Sequence, residues 1–210
     1  MNISILSTAL LLLLLNCSGN DEDSGSDNTQ NPANQSTSVG CSGVTYQPWH
    51  ESDYVLPYPV GRTYQVHLSQ CSSSYHSQGQ PDQFAVDFGM AIGTLITASR
   101  GGLVVYTEES GIDGDFPNNL VVVKHSDNSY AQYMHLTHNG AIPEIGDLVE
   151  QGDSIGYSGS TGLAGYPHLH FVVTKDRWEY PYESIPHNYR NTSPNPRGPK
   201  SQHEYTAEPY

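Results

Sequence analysis

Seven short segments follow one another through the middle of the chain, and this succession constrains the fold more than any other feature. "QFAVDF", "TLITAS", "GLVVYTEE", "NLVVVKHS", "SYAQYMHL", "GDSIGYSG" and "HLHFVVTK" are each six to eight residues long. They are rich in β-branched and aromatic side chains and are separated by Gly, Asn and Asp turns, the pattern of consecutive β-strands. No amphipathic helical period competes with them. The expected architecture is all-β: an antiparallel sheet with a second small sheet or hairpin layer, and a groove floored by strands that carry His and Asp.

Those polar residues stand where core residues would be ordinary. In a strand, successive side chains point to opposite faces. In "HLHFVV", His168, His170 and Val172 therefore share one face, and Leu169, Phe171 and Val173 share the other. The same alternation in "SYAQYMHL" places His135 with Tyr133 and Ala131, away from Tyr130, Met134 and Leu136. In "FAVDFG" it buries Phe84, Val86 and Phe88 and leaves Asp87 on the opposite side. A carboxylate within so apolar a strand is costly unless something compensates it, and a bound cation does so most simply. His76, in "SSYHSQGQ", adds an imidazole from a loop.

The blocks "YHSQGQPDQFAVDF", "GTLITASRGGLV", "YMHL" and "GDLVEQGDSIGYSGSTGLAGYPHLHF" occur in this order, with glycines at fixed places. Over roughly Tyr64 to Lys175 they resemble the lysostaphin/LytM family of bacterial cell-wall zinc endopeptidases, whose fold (LytM, or duplicated-hybrid-motif-like) matches the all-β expectation. The resemblance implies that His76, Asp87 and His170 bind zinc and that His135 and His168 are the catalytic imidazoles. Many members carry the first ligand four residues before the Asp, where this chain has Gln83, and a branch with "SH", a short insertion and then "yAxDF" fits better. His67 is the fallback ligand, and His125 and His138 are expected at the surface or behind the ligands. Three protein ligands on a tetrahedral zinc leave a fourth position for water, which is the arrangement of a catalytic site. Gly159, Gly162 and Gly165 permit a loop closed to other residues, and Pro167 fixes the entry to the His strand. From the resemblance, that loop is one wall of a groove for extended peptide, with Tyr133, Tyr157 and Tyr166 as candidate contacts.

The ends of the chain have a different composition. Residues 1–16, "MNISILSTALLLLLLN", hold an apolar run too short to span a bilayer but suited to an export signal, and "LLNC" resembles a lipobox ending at Cys17. Residues 17–40 are mostly Ser, Asn, Asp and Gly and read as a disordered tether. Residues 41–75 form an N-terminal flap in which Trp49, Tyr54, Val55 and Leu56 could pack on the domain; 76–175 is the peptidase-like domain; 176–210 is a C-terminal tail that wraps the surface and frays. With Cys17 as the lipid site, Cys41 and Cys71 remain, an even number in an oxidising compartment, and are expected to pair. The formal charge of −14 makes nucleic acid an unsuitable partner.

These features predict a zinc-dependent endopeptidase acting on peptidoglycan stem or cross-bridge peptides, exported to the cell envelope and held on the membrane, the outer membrane in a Gram-negative cell, by lipid on Cys17. The alternative is a non-catalytic envelope protein that binds peptidoglycan or activates an amidase. In such relatives zinc or catalytic residues are missing, whereas here all five positions are filled.

Overall fold

The computed structural model describes residues 40–210. Its strands are β1 (Thr63–Leu68), β2 (Val86–Gly89), β3 (Leu95–Thr97), β4 (Gly102–Glu108), β5 (Leu120–Lys124), β6 (Ser129–Met134), β7 (Leu136–Ala141), β8 (Leu148–Val149), β9 (Ser154–Ser158), β10 (His168–Lys175), β11 (Glu183–Ser184) and β12 (Glu204–Thr206). The helical content of these residues is two 3-10 turns, Trp49–Glu51 and Ser74–His76. None of their helices is long and apolar enough to cross a membrane. The expected export signal, Cys17 and almost all of the tether lie outside the described residues.

All the strand pairs are antiparallel, as expected. The large sheet runs β12-β1-β2-β10-β6-β5-β4-β8, with β11 added beside β10, and the small one runs β3-β9-β7. β10 therefore lies inside the sheet, flanked by the Asp-bearing β2 and by β6, which leads into His135. Its period-two pattern is realised: Leu169, Phe171 and Val173 are fully buried and join Val86, Phe88, Ala131 and Tyr133 in the main core. On the opposite face Val172 packs with Ala85 and Met134 in a separate small cluster. Ile96, Leu136 and Ile155 of the small sheet, also fully buried, close the core from the other side. Burying side chains of this size stabilises the fold by roughly 1.5–3 kcal/mol each.

The flap and tail are built into this body. β1, hidden in the flap sequence among Pro-bracketed turns, pairs with β2 on one side and with β12 of the tail on the other. Tyr54, Val55, Leu56 and Tyr58 are buried, while Trp49 stays partly exposed. Flap and tail also interlock through polar groups: Leu56 N–H donates to Asn191 Oδ1 (2.7 Å), the Tyr58 hydroxyl to Tyr205 C=O (2.8 Å), and Gln70 Nε2 to His187 C=O (2.7 Å). The tail does not fray where expected. Tyr189 is fully buried, Tyr205 is nearly so, and Ala207 N–H donates to Arg62 C=O at 2.9 Å. The Cys41–Cys71 disulfide, with a Cα–Cα distance of 5.1 Å, ties the start of the flap to the segment just before His76.

Candidate metal centre

The register of β2 against β10 sets the centre of the site. His170 lies opposite Asp87 and His168 opposite Gly89, so two imidazoles and a carboxylate emerge on the same side of neighbouring strands. Asp87 Oδ1 is 2.9 Å from His170 Nδ1, 3.3 Å from His76 Nε2 and 3.7 Å from His168 Nε2. His76 reaches it from the 3-10 turn Ser74–His76 and is buried, as Asp87 and both β10 histidines are.

His135 reaches the same place by a route that strand alternation does not predict. Its backbone takes a φ of 64°, a left-handed conformation uncommon outside glycine, between the end of β6 and the start of β7. Alternation therefore stops there. Tyr133 and Ala131 go into the core, and His135 turns to the groove with Met134 and Gln132, not with Tyr133 and Ala131 as expected. The conformation is held from outside: His135 N–H donates to Asn118 Oδ1 at 3.0 Å, and His135 Nδ1 lies 2.7 Å from Thr161 C=O. Such strain, worth roughly 1–3 kcal/mol, persists where the surroundings over-determine it. The His135 ring centroid is 4.7 Å from that of His168 and 5.7 Å from that of His170.

All five predicted site residues are thus brought together. They lie on a groove of about 610 Å³, with exposed Tyr75, Phe116, Leu163 and Tyr180 on its rims. The other candidates part company. Tyr166 lines the groove, but Tyr133 is fully buried and takes a hydrogen bond from Ser99 N–H (2.7 Å), so it is a core residue and not a substrate contact. Tyr157 is exposed on the small sheet, away from the groove lining. The fallback ligand His67 stands apart from the metal-binding groups: its ring lies over Gly89, where a Cβ would come within 2.3 Å of it, and packs on Tyr166 at 5.0 Å. His125 is neither at the surface nor behind the ligands, being buried with Nδ1 2.9 Å from Gly101 C=O. His138 is exposed.

One groove wall is the expected glycine loop, and it is tied to residues 113–118. Ser160 N–H donates to Asp113 Oδ1 (2.6 Å) and Gly162 N–H to Asp115 C=O (2.8 Å). Gly162 has a φ of 70°, and a Cβ there would lie 2.6 Å from Asn118 Cβ, so glycine is required both by conformation and by the close approach. Asn118 and Thr161, which place His135, are the functional residues the sequence reading missed. Their amide and hydroxyl types carry no signal, because their partners are distant in sequence.

Electrostatics separate the imidazoles. Burial, then the neighbouring His170 and His168, lower His135 to about 3, so its ring is neutral at ordinary pH. Burial likewise lowers His168 in spite of the Asp87 charge. Burial opposes the charge on His170, but attraction to Asp82, 3.6 Å from Nε2, and the hydrogen bond and attraction to Asp87 outweigh it and raise that ring to about 10. Asp87 is held far below the carboxylate range because His170 and His76 outweigh its own desolvation.

Two sets of three donors lie within 4.8 Å of one another: His76, Asp87 and His170, and His135, His168 and His170. The first set offers two imidazoles and a carboxylate, a donor combination of catalytic zinc sites. A tetrahedral zinc with bonds of about 2.0 Å separates its ligand atoms by about 3.3 Å. The 2.9 and 3.3 Å contacts of Asp87 Oδ1 are close to that spacing.

Fold and site together define an antiparallel β protein with a buried His/Asp cluster that could hold a metal ion on the floor of an open groove. Residues 82–181 match the model for peptidase family M23, and the chain carries a peptidase M23 domain. His76 lies six residues before the matched segment. Among relatives, the peptidoglycan DD-endopeptidase ShyA of Vibrio cholerae is 37% identical over 87 residues, 41% of this chain and 19% of its own. Lysostaphin of Staphylococcus staphylolyticus is 34% identical over 116 residues, 55% of this chain and 20% of its own. Among solved structures, a zinc containing peptidase from Vibrio cholerae is similar, with a TM-score of 0.47 and 23% identity over 64% of this chain and 39% of that one. The chain spans about a fifth of the length of the curated relatives it matches.

Proposed function

We propose that this protein is a zinc endopeptidase that hydrolyses peptide bonds in the stem or cross-bridge peptides of peptidoglycan, with His76, Asp87 and His170 holding the metal and His135 and His168 moving the proton. The observation that carries this reading is the convergence of His76 and His170 on one buried oxygen of Asp87 beside the buried imidazoles of His135 and His168. Relatives named as peptidoglycan DD-endopeptidase and glycyl-glycine endopeptidase support the substrate class.

Bound zinc supplies Lewis acidity at the scissile carbonyl and brings the pKa of water close to neutrality. The chain's own residues do the rest. His135 and His168 each face a backbone carbonyl with Nδ1, Thr161 C=O at 2.7 Å and Tyr166 C=O at 2.8 Å. Donating that N–H places the lone pair on Nε2, the nitrogen left for the reacting groups. One ring can then accept the proton of the attacking water and pass it to the leaving amine, and the other can hydrogen-bond the developing oxyanion. The exposed aromatic and aliphatic rims suit an extended peptide laid across the groove. Export, and attachment to the membrane through lipid on Cys17, complete the proposal and rest on residues 1–17 of the sequence.

Digestion of purified sacculi with zinc-loaded protein, followed by mass analysis of the released muropeptides, tests the activity. Release of peptide-cleaved muropeptides that stops on chelation is expected; no release from any wall type would overturn it. Cys17→Ser should move the protein from the membrane fraction to the soluble one, and unchanged membrane retention would refute the anchor.

A further inference from the structure

We propose that Asp82 and Tyr182 are positioning residues for the metal site, Asp82 accepting the Nε2–H of His170 and Tyr182 holding Asp82 in place, so that the ring is fixed to ligate through Nδ1. The inference rests on His170 being a zinc ligand, as proposed above. His170 turns Nδ1 toward Asp87 at 2.9 Å, and its other nitrogen, Nε2, is buried without a hydrogen-bond partner. An imidazole that ligates through one nitrogen carries its proton on the other, and metal-binding histidines almost always donate that N–H to a carboxylate, carbonyl or water. Asp82 Oδ1 is 3.6 Å from Nε2, a small ring rotation from hydrogen-bond distance.

Asp82 is itself held in place. The Tyr182 hydroxyl donates to the same Oδ1 at 2.5 Å, and the Tyr182 ring packs against the small cluster of Ala85, Met134 and Val172 beneath the groove. A carboxylate on a turn, only three-quarters buried, is thus fixed by a hydroxyl mounted on the sheet. Asp82 lies within the eleven-residue spacing from His76 to Asp87, and Tyr182 is in the tail, the first residue beyond the matched segment. The tail would then serve the metal site as well as the core.

Zinc affinity, measured by competition with a chromophoric chelator, and thermal midpoints of the zinc-free and zinc-loaded protein test the role without reference to activity. Asp82→Ala is expected to weaken zinc binding ten- to hundredfold. Tyr182→Phe, which removes one hydroxyl and keeps the packing, should weaken it by a smaller factor. In both, the zinc-free midpoint should stay at the wild-type value while the rise caused by zinc shrinks. Wild-type zinc affinity in Tyr182→Phe and Asp82→Ala would overturn the proposal, as would a loss matched by an equal fall in the zinc-free midpoint. If Asp82→Ala does not fold, Tyr182→Phe decides alone. His170→Ala serves as the control: full zinc there refutes the ligand set itself, whereas lost zinc there beside unaltered affinity in the other two variants refutes the positioning role alone.

Discussion

Asp87 holds its charge in the interior because His170 Nδ1 and His76 Nε2 stand 2.9 and 3.3 Å from one of its oxygens. Taking that carboxylate away leaves buried imidazoles with neither counter-charge nor a complete ligand set, so Asp87→Ala is expected to lose most bound zinc, read by elemental analysis. Zinc at one equivalent in that variant would assign the metal to the three-histidine set instead. The left-handed backbone of His135 is held by the side-chain amide of Asn118, and its ring by Thr161 C=O. Asn118→Ala removes the acceptor of its backbone N–H and should keep zinc while lowering turnover by roughly a hundredfold, the usual consequence of misplacing a reacting group by about 1 Å. Unchanged turnover would show that the left-handed backbone holds without Asn118. The sequence made Asp87, His168 and His170 legible because period-two alternation needs no long-range information. It misplaced His135 because the residue that breaks the alternation is stabilised from Asn118 and Thr161, 17 and 26 positions away.

The strand pattern is readable wherever β-branched runs are dense, which is why β10 and its neighbours β2 and β6 are legible, while β7 ("LTHNGA") and the short β8, β11 and β12 are not. β1 escaped because its alternating "TYQVHL" sits in a Pro- and Gly-rich lead-in, and its pairing with β12 joins residues more than 130 positions apart. That pairing, the buried Tyr189 and the disulfide make flap and tail part of the folded body. Cys41→Ser combined with Cys71→Ser frees a loop with a sequence separation of 30 and is expected to cost about 3 to 4 kcal/mol by loop-entropy arithmetic, read as a lower urea midpoint. An unchanged midpoint would mean that flap–tail hydrogen bonds alone fix the segment. Tyr189→Ala should cost about 3 to 5 kcal/mol, as for other large buried side chains. A loss below 1 kcal/mol would place Tyr189 at the periphery.

The molecule as a whole should weaken in acid, and the sign follows from two histidines outside the groove. Burial lowers His125 and His187 to about 4, against about 6.5 in an unfolded chain. As pH falls below 6.5 the unfolded chain takes up protons that the fold refuses, so this stability is present above 6.5 and is lost progressively toward pH 4. At pH 5 the loss is about 2 kcal/mol per histidine. His187→Gln should therefore lose about that much less than wild type between pH 7 and pH 5 in urea unfolding, and equal losses would remove His187 as a cause. The division of labour among the groove histidines is tested most directly by zinc content and muropeptide release measured side by side on wild type, His168→Ala and His170→Ala. The expected result is that His170→Ala loses most of its zinc and its activity, while His168→Ala keeps its zinc and loses two or more orders of magnitude in rate. Zinc retained in His170→Ala, or activity retained in His168→Ala, would contradict it.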